Sequence, residues 1–143
     1  MTEFYAWLEQ SGFGTFVRES SSLLAYPTFL FLHTFGLSLL VGLNAALDLH
    51  LLGLAPRAPM SPFLKFFPLM WLGFWINALS GAALFVADAS AKAKNPVFGI
   101  KLAFVAAAVV VMMQLKKRLR DPDLDSGALP SNLKVLGFIS LLL

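Results

Sequence analysis

Four apolar runs, at about residues 23–54, 66–88, 97–115 and 133–143, constrain this chain more than any other feature. A helix of about 20 apolar residues crosses the hydrocarbon of a bilayer. Backbone placed there must satisfy its own hydrogen bonds, which makes helices the natural form of such runs. The 143 residues are 58% hydrophobic and 13% charged, and one small soluble domain has too little interior to hide that much apolar surface. The expected fold is all-α and integral to a membrane, a four-helix transmembrane bundle in one domain. No polar linker is long enough to separate a second domain.

The runs differ in how they begin and end. The first exceeds the minimum span and is expected to tilt or overhang. Ser20, Ser21 and Ser22 are capping candidates before it, Pro27 fits its first turns, and the proline-rich stretch 55–62 stops it. The second carries Trp71 and Trp75 near its start, as an aromatic belt does. A polar hairpin at 89–96 leads to the third, where Lys101 sits near the entrance and can snorkel to the headgroups. A charged, turn-rich loop from Lys116 to Asp125 follows. The fourth run rises only about 16 Å, roughly half the hydrocarbon core, so the sequence reads as truncated inside its last helix.

The N-terminal residues 2–20 mix Glu3, Glu9, Glu19 and Arg18 with Phe4, Tyr5, Trp7, Phe13 and Phe16. That pattern predicts an interfacial amphipathic helix or helical pair, broken near Gly12 and Gly14, and lacks the basic opening of a signal peptide. Basic residues supply the orientation. Arg57, Lys65, Lys116, Lys117, Arg118, Arg120 and Lys134 fall on one side, against Arg18, Lys92, Lys94 and Lys101 on the other. By the positive-inside rule the N-terminus lies outside the cytoplasm, in the periplasm of a bacterial inner membrane. The Lys116, Lys117, Arg118 and Arg120 cluster reads as a topology signal beside anionic lipid headgroups. The net charge of +3 is no nucleic-acid signal.

Several features together resemble a known group. They are Ala25-Tyr26-Pro27 before His33, a glycine-containing apolar helix ending Asp48-Leu49-His50-Leu51-Leu52-Gly53, and Asn95-Pro96-Val97-Phe98 with Lys101. The chain is similar over nearly its whole length to a bacterial family of small four-helix membrane proteins of unknown function. That resemblance implies a complete last helix and no established activity. The family usually has Arg where His50 stands, so no ligand role for His50 carries over. More distantly, a small bundle with an intramembrane His resembles the cytochrome b561 and copper-resistance membrane types, an analogy of fold alone.

Chemistry must rest on the few polar residues inside the runs, each costly in lipid without a partner. At helical spacing His33, Gly36, Leu37, Leu40, Asn44 and Asp48 share one face of the first run; Gly73, Asn77, Ser80, Gly81 and Asp88 share one of the second. An antiparallel hairpin sets His33 level with Asn77 to Ser80, so the stripes of Asn44, Asp48, Asn77 and Ser80 are expected to face the bundle interior. The simpler reading is helix packing, with hydrogen bonds of about 1 kcal/mol each. The sharper one makes His33 an axial ligand of haem b or of a metal, or part of a quinone or proton site. His33 and His50 are about 25 Å apart along one helix, so a bis-His haem within one chain is ruled out. Asp48 is expected to pair with loop cations such as Arg57 or Lys65, with a proton relay as the alternative.

Cysteine is absent, which removes disulfides, thiolate metal sites and Cys nucleophiles. No nucleophile elbow, P-loop, dinucleotide fingerprint or zinc-protease motif occurs. The leading expectation is an accessory transmembrane subunit without catalysis of its own. Its partners would be membrane lipids and either other membrane protein subunits or further copies of itself. An electron-transfer protein using His33 comes second and a small transporter or channel third.

Overall fold

The structure, a computed structural model, describes residues 2–19, 25–54, 61–119 and 131–142. Among these residues the regular structure is all helical: α1 (Thr2–Gln10), α2 (Gly12–Glu19), α3 (Ala25–Leu51), α4 (Ser61–Leu64), α5 (Phe66–Ala87), α6 (Ala89–Lys94), α7 (Pro96–Leu119) and α8 (Ser131–Leu142). Three of them, α3, α5 and α7, are long and apolar enough to cross a membrane. The fourth apolar run forms α8, a 12-residue helix shorter than the roughly 20 residues a crossing needs.

Local chemistry accounts for the helix ends. At the C-terminus of α3, Gly53 adopts φ 93°. Its amide bonds the His50 carbonyl at 3.0 Å while the Leu54 amide reaches the Leu49 carbonyl at 3.1 Å. This is the left-handed glycine cap that ends many helices. At the start of α7 the Asn95 side-chain oxygen accepts the Val97 amide at 3.0 Å, and Pro96 occupies the first helical position, where a missing N–H costs nothing.

Two boundaries differ from expectation, and a third, the N-terminal break, falls beside Gly12 as expected. The 89–96 segment is not a bare hairpin, since Ala89–Lys94 folds as α6. The third apolar helix does not stop at residue 115 but continues to Leu119, so Lys116, Lys117 and Arg118 form its last turn. Cations there are favourable beside the helix C-terminus, which is why the charged stretch need not leave the helix. The N-terminal break falls at Ser11, whose hydroxyl accepts the Gly14 amide at 3.2 Å. Gly14 itself lies inside α2, where a Cβ would come within 2.8 Å of the Leu8 and Glu9 carbonyl oxygens of α1.

The chain divides into two compact units, Met1–Ser38 with Leu72–Lys101 and Leu39–Trp71 with Leu102–Leu143. In the first, α1 packs against α2 and α6, and Val17, Ala83, Ala87 and Ala89 are buried. In the second, Leu47, Leu51, Phe67, Met70, Met112, Leu115, Leu119 and Leu133 form one apolar core.

Candidate polar sites

In the first unit the polar residues cluster because two backbones come close. A Cβ on Gly36 would lie 2.6 Å from the Asn77 amide nitrogen and 2.8 Å from the Gly73 carbonyl oxygen. No side chain fits, so α3 and the α5 segment of this unit touch at backbone distance, as small residues permit in membrane helices. One turn before Gly36, His33 and Asn77 exchange hydrogen bonds. His33 Nδ1 lies 2.9 Å from the Asn77 carbonyl oxygen, and Asn77 Nδ2 donates to the His33 carbonyl at 2.8 Å. A carbonyl only accepts, so Nδ1 carries the hydrogen of that bond. Ser80 Oγ sits 3.4 Å from the same nitrogen and donates to the Ile76 carbonyl. A Cβ on Gly81 would stand 2.9 Å from His33 Cε1, so the missing side chain makes room for the ring.

The other ring nitrogen has a neighbour as well. Lys101 Nζ lies 3.5 Å from His33 Nε2. Lys101, whose place near the entrance of the third run lets it snorkel to the headgroups, also comes within reach of the ring, and helical periodicity gives no sign of this. Beside the cluster, an apolar groove of about 510 Å³ is lined by Phe13, Phe29, Leu32, Ile76 and Leu79, with Ser80 as its one hydroxyl.

The second unit holds Asn44 and Asp48. They are four residues apart on α3 and share a face. Asn44 Nδ2 donates to Asp48 Oδ2 at 2.8 Å and to Ser140 Oγ of α8 at 2.7 Å. Close packing brings α8 there, since a Cβ on Gly137 would stand 3.3 Å from Leu51 Cβ. Asp48 is fully buried. Asn44 Oδ1 and Asp48 Oδ1 are enclosed without a hydrogen-bond partner. The expected pairing of Asp48 with Lys65 does not form, because Lys65 is exposed while Asp48 is sealed in the core; Arg57 lies outside the described residues.

Along the predicted interior face of α3, Gly36 and Asp48 are buried in their units, His33 and Asn44 are half-buried, and Leu37 is exposed. Asp88 precedes α6, is exposed, and makes no side-chain cap bond. His50 is buried and stacks on Phe63 at 4.3 Å, its Nδ1 without a hydrogen-bond partner. Thr34 and Ser38 are exposed and return their hydroxyls to the Leu30 and Thr34 carbonyls of their own helix. Lys116 lies 5.9 Å from the centre of the Phe67 ring, Lys117 and Arg118 are exposed, and Arg120 lies outside the described residues. Among the described residues no three His, Cys, Asp or Glu side chains gather as a metal-binding group.

The arrangement defines a class, an all-helical chain with three helices able to span a membrane and polar side chains paired between helices. Comparison with protein-family models, with curated proteins and with solved structures finds no match.

Proposed function

We propose that this chain is an accessory transmembrane subunit, without catalysis of its own, that packs against other helices in a larger complex of a bacterial inner membrane. The bareness of α7 carries this reading: only 6% of its most apolar 18-residue window is buried. Ala103, Ala106 and Val110 lie along one exposed face of that helix. On α3, Gly42 has nothing within 4 Å of where a Cβ would stand, and Ala46, one turn on, is exposed. Lipid tails drive no association by themselves, so membrane helices pair where small residues let backbones approach. In this reading α8 joins α3, α5 and α7 as the fourth helix of a bundle, and the basic residues of the α7 terminus face the cytoplasm.

The test is purification from native membranes in mild detergent, with companions identified by mass spectrometry. Membrane proteins that copurify with the chain, and are lost on Gly42→Leu or Ala106→Leu while the variants stay folded, are the expected result. A chain that runs alone and whose deletion leaves every membrane complex intact would sink the proposal.

A second reading, electron transfer through b-type haem or a quinone, is favoured by His33. A ring whose Nδ1–H is held by a carbonyl is oriented as ligating histidines are, leaving Nε2 as the reactive nitrogen. The adjoining apolar groove suits an isoprenoid tail. Against haem, Lys101 stands at Nε2 and would have to move aside. An absorption spectrum of the same preparation decides: a reduced b-type band that follows the chain and vanishes in His33→Ala replaces the accessory reading.

A further inference from the structure

We infer that Asn44, Asp48 and Ser140 form a binding site for one small monovalent metal cation, with Na⁺ as the natural probe. The Asp48 carboxyl is fully buried, and its Oδ2 accepts a hydrogen bond from Asn44 Nδ2. No Lys or Arg pairs with it among the described residues, and its Oδ1 has no partner. An ionised carboxylate in such a place is costly unless a positive charge joins it.

The orientation of Asn44 adds an independent constraint. Both hydrogens of its amide are directed, one at Asp48 Oδ2 and one at Ser140 Oγ. Turning the amide over would set its oxygen against a carboxylate oxygen, so the assignment is fixed by its partners. Asn44 Oδ1 is therefore a second buried acceptor without a donor, on a side chain already bonded to the first. Carboxylate, amide and hydroxyl oxygens are the hard donors that alkali cations take. A single carboxylate balances a single positive charge, which sets the valence. Ser140 acts as a positioning residue in this scheme: by accepting from Asn44 Nδ2 it keeps the amide oxygen and the carboxylate turned to one ion. The inference stands apart from the accessory-subunit reading, since a packing subunit and an electron carrier can each hold a structural ion.

The experiment uses the whole chain in detergent at fixed pH. Thermal unfolding is followed while NaCl replaces choline chloride at constant ionic strength, and ²²Na⁺ binding is counted alongside. The expected result is a saturable rise in melting temperature with one Na⁺ bound per chain. Both responses vanish in Asp48→Asn, which keeps the shape of the side chain and removes its charge. Ser140→Ala weakens binding by about tenfold, as loss of an orienting partner does at metal sites. Three outcomes overturn the inference: no Na⁺ dependence, the same dependence in Asp48→Asn, or stabilisation by acidification alone with no counted ion, which would make the site one for a proton. Should Asp48→Asn fail to fold, the Ser140→Ala titration still decides, because an unchanged Na⁺ affinity there removes the site.

Discussion

Helix α3 contributes to two polar clusters that solve the same problem in opposite ways. In the first unit His33 and Asn77 each bond the other's backbone carbonyl, and Ser80 returns its hydroxyl to its own helix. Among the buried polar atoms left without partners, none belongs to that cluster. In the second unit Asn44, Asp48 and Ser140 bond side chain to side chain, and two oxygens remain over. Backbone is the difference. Where Gly36 lets two helices touch, main-chain carbonyls come within reach of a neighbour's side chain and serve as acceptors. Where the partners are side chains, supply and demand must match residue by residue, and here one amide oxygen and one carboxylate oxygen are left over.

The largest test of this comparison attacks the close approach itself. In Gly36→Val the new atoms meet the Asn77 nitrogen and the Gly73 oxygen, both backbone, which cannot swing aside as a side chain tip can. The two helices must part, and both reciprocal bonds go with them. The expected loss is about 3 kcal/mol, the upper range for overpacking a tight site, read as a lowered unfolding midpoint in detergent. Gly42→Val is the control: nothing lies within 4 Å of its Cβ position, so folding stability should move by less than about 0.5 kcal/mol. Equal effects of the two substitutions would mean that backbone contact is not what holds the first cluster.

A double-mutant cycle on His33 and Asn77 comes next. Interhelical hydrogen bonds in membrane proteins contribute about 1 kcal/mol or less apiece, and this pair makes two. Each side chain bonds a backbone carbonyl that alanine keeps, so His33→Ala and Asn77→Ala should each lower stability by about 1 kcal/mol and their combination should cost about the sum. A combination that costs clearly less than the sum would mean that losing one bond already parts the helices and breaks the other. Single substitutions without effect would make the first cluster packing alone, and its contrast with the Asp48 cluster would shrink to a difference in burial.

Helical spacing was informative for one kind of fact. It set His33 on the same face as Gly36, and Asn77 with Ser80 and Gly81, because a period of 3.6 needs only the sequence of one helix. The three long helices follow from apolar length in the same way. Spacing says nothing about which neighbour a face meets. The meeting of Asn44 with Ser140 links residues 96 positions apart and depends on where Gly137 lets α8 seat against Leu51. The approach of Lys101 to His33 links residues 68 positions apart, which periodicity does not encode. A residue such as Asp48 invites pairing with the nearest cation in sequence, but burial decides the matter. Lys65 stays outside, and the carboxyl takes the amide one turn away.

The smallest effect lies at the surface, where both clusters' logic can be compared with a solvated contact. The Glu9 carboxylate of α1 accepts the Ser90 amide at 2.7 Å and the Ser90 hydroxyl at 2.9 Å, in the first turn of α6. The backbone bond, then the hydroxyl bond, hold its carboxyl below the usual range, with Arg18 and Lys94 adding attraction. A lowered folded-state pKa means that the contact stabilises the protein above the ordinary Glu value and loses that contribution as pH falls through the lowered one. Glu9→Gln keeps an acceptor for one of the two bonds and removes the charge. At neutral pH the Ser90 amide should exchange hydrogen faster in the variant, while the global unfolding midpoint barely moves, as suits a local contact in water. As pH falls through that lowered value the wild-type carboxylate protonates as well, and the ratio of the two exchange rates should approach one. A ratio already at one at neutral pH would show that α1 is held to α6 by apolar packing alone. A large drop in the global midpoint would show the opposite, that this half-buried carboxylate is coupled to folding as tightly as the buried clusters.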